Sequence, residues 1–152
     1  MTMREILFRG KRINTGEWLE GCAVKKIDPL LGISYWYIVR NELSDGGMLE
    51  SVASWYKVDP ATVGQYTGLK DRNGKRIFEG DIVRYYSTYR EEFTGENCVV
   101  EYGVYNCSCC DGVYGWEFKG GDIRIDECYE IIGNIHDNPE LLGRCDNGSQ
   151  AD

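Results

Sequence analysis

Residues 58–83 read VDPATVGQYTGLKDRNGKRIFEGDIV, and their reading decides the fold. Asp59-Pro60 bends the chain, Val63–Thr67 is a short strand, and Asn73-Gly74 is a reversal. Phe78-Glu79-Gly80-Asp81-Ile82-Val83 then enters a new apolar run. Asn-Gly and Glu-Gly punctuation at this density leaves no room for a helix of ordinary length, whereas strands need only four to eight residues.

Working outward, the same grammar continues. Short strands are predicted at Glu5–Arg9, Glu17–Val24, Ile33–Arg40, Met48–Lys57, Val63–Thr67 and Gly80–Tyr86. More follow at Cys98–Tyr105, Val113–Phe118, Ile123–Ile125 and Glu130–His136. ISYWYIVR at 33–40 is the clearest, because β-branched and aromatic residues suit a pleated, half-buried surface. Ser87–Asn97 reads as a polar, mobile connection. Asn138-Pro139-Glu140 reads as a helix start, with Asn138 as cap and Pro139 in the first turn.

Nineteen glycines against three prolines, with eleven tyrosines and four tryptophans, fit an all-β chain. The expected architecture is two small barrel-like β subdomains with one short C-terminal helical turn. The expected division is an N-terminal β subdomain over residues 1–68, a C-terminal one over 69–142 packed on it, and a flexible tail over 143–152. An internal pattern points the same way. Trp18–Val24 aligns with Ile77–Val83, and Val63–Thr67 aligns with Ile132–His136, which predicts two related β units.

No apolar run approaches the roughly 20 residues needed to span a bilayer, and the start lacks a signal-peptide pattern. The expectation is a cytoplasmic protein with no membrane partner. The formal net charge is −8, which argues against non-specific nucleic-acid binding through the chain as a whole. A local basic patch remains at Lys70, Arg72, Lys75 and Arg76, beside Tyr66. Small barrels bind single-stranded nucleic acid by stacking bases on rings beside such cations. The aromatic set Tyr35, Trp36, Tyr37, Trp55, Tyr56, Tyr85, Tyr86, Tyr89, Tyr102, Tyr105, Tyr114 and Trp116 is expected to leave some rings exposed, because alternate strand positions face opposite sides. It also fits a core and a subunit interface, where Tyr and Trp are favoured.

Seven cysteines without an export signal read as reduced thiols. Cys107, Cys109 and Cys110 contain one C-x-x-C and are weak zinc candidates, since a structural site wants four ligands. No cofactor is expected. Glu79 and Asp81, at i and i+2, would share one face of a strand and serve as an acid/base or cation pair. His136 beside Asp137 has the composition of a general base with an orienting acid. Each also has a plainer structural reading, as turn carboxylate or cap. No phosphate loop, nucleophile elbow or His-Glu-x-x-His is present.

Several spaced motifs, in order, carry a family resemblance. They are Phe8-Arg9-Gly10-Lys11-Arg12, Trp18-x-Glu20-Gly21, Thr62–Gly68, Asp71-x-Asn73-Gly74-Lys75, Ile77–Val83 and Ile132–Leu142. Across residues 4–142 the chain resembles the YopX family of phage and prophage proteins. The resemblance implies a β-rich fold of small barrel-like units and a phage or prophage origin in a bacterial host. It implies no established catalytic activity and supplies no functional residues, and the cysteine cluster is not part of its pattern. The leading expectation is a non-enzymatic phage accessory protein that binds a phage or host protein and self-associates. A single-stranded nucleic-acid binder using the 66–76 edge is the alternative, and a hydrolase around Glu79, Asp81 and His136 is the third.

Overall fold

A computed structural model describes residues 5–43, 51–107, 110–119 and 128–143. The protein is all-β. The described residues hold ten strands, β1 (Phe8–Lys11), β2 (Trp18–Ile27), β3 (Ser34–Leu43), β4 (Ser51–Val58), β5 (Gly64–Lys70), β6 (Arg76–Phe78), β7 (Asp81–Ser87), β8 (Glu92–Cys107), β9 (Cys110–Lys119) and β10 (Tyr129–Asn134). Two single 3-10 turns, Pro60–Thr62 and Pro139–Leu142, complete the set. The chain forms two compact units, one of residues 1–69 with 76–79 and one of 70–75 with 80–152.

The first unit holds a six-stranded sheet in the order β4-β3-β2-β1-β5-β6. Leu19, Ile38 and Val58 form its buried cluster, with Phe8, Ala23, Trp36, Tyr56 and Val63 packed around them. Gly10 permits this packing, because a Cβ there would lie 3.0 Å from Val58 Cγ2. The sheet coils until Arg12 meets Val58 in one isolated antiparallel bridge. That contact is a single bridge and not a ladder, so the expected barrel is an open, coiled sheet. The turn before β5 is pinned by side chains. Asp59 accepts from Ala61 N–H (3.0 Å), and Thr62 Oγ1 accepts from Lys11 N–H (2.8 Å) while donating to Asp59 C=O (2.6 Å).

The second unit holds a four-stranded sheet in the order β10-β7-β8-β9. Ile82, Val83, Cys98, Val100 and Tyr129 are its buried apolar residues among those described. This sheet is open too: β9 and β10 are its outer strands. Both sheets share a connection order. A meander of consecutive strands is followed by one that returns beside the first, β5 beside β1 and β10 beside β7, which is a Greek-key connection.

The seam at 58–83 differs from its sequence reading. Ile77 and Phe78 do not open the second unit; β6 pairs within the first sheet, and Gly80 turns the chain into β7 with φ +85°. Trp18–Val24, by contrast, lies within the single strand β2. The predicted alignment of 18–24 with 77–83 therefore joins one strand to a strand–turn–strand, and the two Glu-Gly phrases do different work. Gly21 is an in-strand glycine against the Val39 carbonyl, whereas Gly80 is a left-handed turn residue.

Other expectations shift as well. The connection expected over 87–97 is strand from Glu92 onward, because Tyr86 and Phe93 pack edge to face at 5.2 Å across the hairpin. Asn138 makes no side-chain cap. Its Oδ1 accepts instead from Asn134 N–H (3.4 Å), and the helix start is one 3-10 turn. The strand predicted at 123–125 and the tail from 144 onward lie outside the described residues.

Candidate functional site

The residues that the sequence grouped divide between the two units: Tyr66 and Arg76 belong to the first, with Arg76 5.9 Å over the Tyr66 ring, and Lys70, Arg72 and Lys75 to the second. Tyr66 is buried at 4% exposure and its ring lies tilted against Phe78 at 5.5 Å, so it is not open to a base. Arg76 pairs with Glu5 and Glu20, each at 3.4 Å, in the first unit. Arg72 pairs with Glu130 at 3.4 Å and lies 3.5 Å over the Tyr86 ring, in the second. Lys70 and Lys75 are exposed. Much of the positive charge of the 66–76 edge is therefore matched by carboxylates.

The core of that edge is a carboxylate clamp, internal to the second unit. Asp71, 6% exposed, accepts from the N–H groups of Asn73 and Lys75 through Oδ1 (both 2.9 Å) and from Ile131 N–H through Oδ2 (3.2 Å). Arg72 N–H adds a bond to Tyr129 C=O (2.9 Å). Asp-x-Asn-Gly is an Asx-turn signature. The signal for the local bonds stands in the sequence, but the reach to β10 does not.

The strand face expected to be shared by Glu79 and Asp81 does not form, while the His136 ring lies beside Gly80, with Nε2 3.8 Å from where a Cβ would stand. Gly80 breaks the strand between Glu79 and Asp81; Glu79 is exposed, and Asp81 is 1% exposed opposite Asn134 in the β7–β10 ladder. A turn in place of a continuous strand removes the shared face that the i, i+2 spacing assumed. His136 and Asp137 belong to a turn built by Asn134. Its Oδ1 accepts from both of their N–H groups (3.0 and 2.9 Å), and its Nδ2 donates to Asp137 Oδ2 (3.1 Å). Cys109 lies outside the described residues. Cys107 and Cys110 are register partners across β8 and β9. Among the described residues, no three His, Cys, Asp or Glu side chains gather as a metal site.

The arrangement with binding character lies on β2, β3 and β4. Strand alternation puts Leu19, Ile38 and Val58 on the core side. It puts Cys22, Val24, Lys26, Tyr35, Tyr37, Val39, Trp55 and Lys57 on the other. On that outer side Trp55 is 46% exposed, and Tyr37 meets it edge to face at 5.9 Å. Lys26 Nζ sits 4.4 Å from the Trp55 centroid, and Lys57 Nζ sits 4.0 Å from that of Tyr35. Three rings and two cations thus interleave on one open sheet face. The ISYWYIVR pattern predicted exposed rings. Which rings, and which lysines beside them, depended on the register of β2 and β4 against β3. An open depression of about 460 Å³, lined by Lys11, Arg12, Ile13, Gly16, Asp59 and Pro60, lies beside the Arg12–Val58 bridge.

The family model for the YopX protein matches residues 8–143. The chain belongs to the YopX family. No curated protein matches it. The crystal structure of protein EF1440 from Enterococcus faecalis is similar over 92% of this chain and 99% of that one, with 28% identity and a TM-score of 0.52.

The motifs that carried the YopX resemblance have structural roles here. Arg9 lies over the rings of Trp18 (4.7 Å) and Phe78 (5.0 Å), joining the Phe8–Arg12 motif to two others. Gly64 lets β5 approach Glu79, whose carbonyl oxygen would be 2.7 Å from a Cβ at that position. Gly133 stands at the β10 irregularity, where a Cβ would meet Asn138 Oδ1 at 2.6 Å. No helix among the described residues is long and apolar enough to cross a membrane.

Proposed function

We propose that this YopX-family chain is a non-enzymatic accessory module of phage or prophage origin, working in the bacterial cytoplasm by binding protein, copies of itself included. The observation that carries the reading is the outer face of β2–β4, where Tyr35, Tyr37 and Trp55 lie interleaved with Lys26 and Lys57. Tyr and Trp supply large contact area at low entropic cost and dominate interface energetics.

The test is capture from infected host lysate with wild type, Tyr37→Ala and Trp55→Ala side by side. A partner held by wild type and released by both variants supports the reading; identical capture by all three removes the face from it. The lysines favour one second reading, a single-stranded nucleic acid stacked on the same rings. Fluorescent oligonucleotides at low salt decide it. Binding that weakens with salt and with Lys26→Glu replaces protein by nucleic acid as the ligand, whereas absence of binding retires the second reading.

A further inference from the structure

Among the described residues β4 is one of the two outer strands of the first sheet, β6 being the other. Its ladder with β3 runs from Trp36↔Val58 to Leu43↔Ser51 without a register shift, so its free edge is straight. The orientation of its main chain follows from the bridge at its end. Asp59 N–H donates to Lys11 C=O (2.9 Å) and Ile13 N–H donates to Lys57 C=O (3.2 Å), so Lys57 directs its peptide groups away from β3. The antiparallel period of two then sends the N–H and C=O of Trp55, Ala53 and Ser51 outward as well. Proteins blunt such edges with proline, bulges or charges. SVASWYKV holds no proline and one charge, Lys57. The edge is also open to approach: Val52 is 51% exposed and Ala53 is exposed.

We infer that β4 pairs antiparallel with β4 of a second copy of this chain, around a two-fold axis at Ala53. This rests on the protein-binding reading above and names the partner. In that register Ser51 faces Trp55 of the second copy, Val52 faces Ser54, and Ala53 faces itself. About six backbone hydrogen bonds close, since the three outward-facing positions of each strand are matched. Lys57 falls beyond the paired segment, so no like charges oppose one another. Trp55 stands across from Ser51 and diagonal to Ala53, where small residues leave room for the indole. The two outer faces join into one continuous surface. The paired segment is shorter than a standard interface of roughly 1,200 Å² or more, which makes the dimer weak and concentration-dependent.

The experiment is light scattering and sedimentation of the full chain from about 10 µM to 1 mM, a span suited to a weak dimer, with wild type, Ala53→Pro and Ala53→Cys. Wild type is expected to rise from 17.3 kDa toward twice that mass. Ala53→Pro removes one outward N–H at an edge position where proline is tolerated, so it is expected to stay folded and monomeric. Ala53→Cys tests the register independently of folding effects of proline, because residues facing on the axis lie within disulfide reach. Oxidation is expected to give a homodisulfide at position 53, identified by mass spectrometry. A wild type that is monomeric throughout overturns the inference and leaves the face reading standing if Tyr37→Ala still releases the lysate partner. A dimer unaffected by Ala53→Pro, with no disulfide at position 53, overturns the edge. So does a dimer lost only with Trp55→Ala, which moves self-association onto the ring face.

Discussion

Asp71 holds Ile131 by the backbone: its Oδ2 accepts the Ile131 N–H at 3.2 Å while its Oδ1 keeps the Asn73 and Lys75 N–H groups. One buried carboxylate thus closes the Asp71–Lys75 turn and fastens it to β10, two segments 60 residues apart in sequence. Buried carboxylates satisfied by backbone N–H groups are costly to remove, because the donors are left without acceptors.

Asp71→Ala is expected to destabilise the protein by about 3 kcal/mol, since three part-buried, charge-assisted bonds are lost together. Urea unfolding followed by tryptophan fluorescence reads this directly. Asp71→Asn retains one carbonyl acceptor and is expected to lose less. An Asp71→Ala midpoint equal to wild type would remove the clamp from the account.

Gly64→Ala is expected to cost about 2 kcal/mol, because the new methyl meets the Glu79 carbonyl at 2.7 Å and a backbone atom yields only with its strand. Gly74→Ala is a useful companion. Its φ of +78° strains any L-residue, but nothing stands within 4 Å, so its cost is conformational, on the order of 1 kcal/mol. Equal losses at the two positions would contradict the close approach of β5 to Glu79.

The Tyr56 hydroxyl donates to both oxygens of Glu42 at 2.8 Å. That bond, then one from Ser54, and the neighbouring Arg40 hold the Glu42 carboxyl below its ordinary value of 4.5. A carboxyl depressed in the folded state contributes stability that is complete above its unfolded pKa and lost as pH falls through the folded value. Tyr56→Phe is expected to raise the Glu42 pKa toward 4.5 in a carboxyl-detected NMR titration. It is also expected to flatten the acid limb of the stability profile. A Glu42 titration unchanged by Tyr56→Phe would break the link.

Burial, and next the Glu96 carboxylate, push the Cys98 thiol above its ordinary value of 9.0, whereas Cys22 is exposed. The thiolate is the reactive form. At pH 8, alkylation mapped by mass spectrometry is expected to label Cys22 quickly and Cys98 only on unfolding. Because the Cys98 pKa is raised by folding, its contribution to stability is full below the unfolded value and lost as pH rises through the folded one. Metal analysis of protein purified without chelator tests the Cys107, Cys109 and Cys110 candidates on the same sample. Zinc near one equivalent would establish a site that one C-x-x-C alone does not specify.

The all-β class was legible because its signals are local. Gly-bearing turns, a scarcity of long periodic runs, and the β-branched aromatic segment at 33–40 each act within a few residues. The ordered motifs from Phe8 to Leu142 likewise carried the YopX membership without any coordinates. The candidate site was legible only in composition. Tyr35, Tyr37 and Trp55 are visible in the sequence as rings, and the basic cluster Lys70–Arg76 is visible beside Tyr66, but nothing local joins Lys26 and Lys57 to the rings they cover. Glu79 and Asp81 misled for a related reason. Their spacing has meaning only if the strand is continuous, and Gly80 turns it.

Sequence by itself determined most of the segments that extend, most of the turns, and which family the chain joins, because turn chemistry and strand propensity are short-range. Tertiary structure alone decided that Ile77 and Phe78 return to the first sheet, that Asp71 reaches β10, and that Lys26 and Lys57 cover the rings of Trp55 and Tyr35. Each of these depends on strand order and register. Both are set by side chains meeting across a sheet from distant parts of the chain, and one residue of slip would turn every ring to the opposite face.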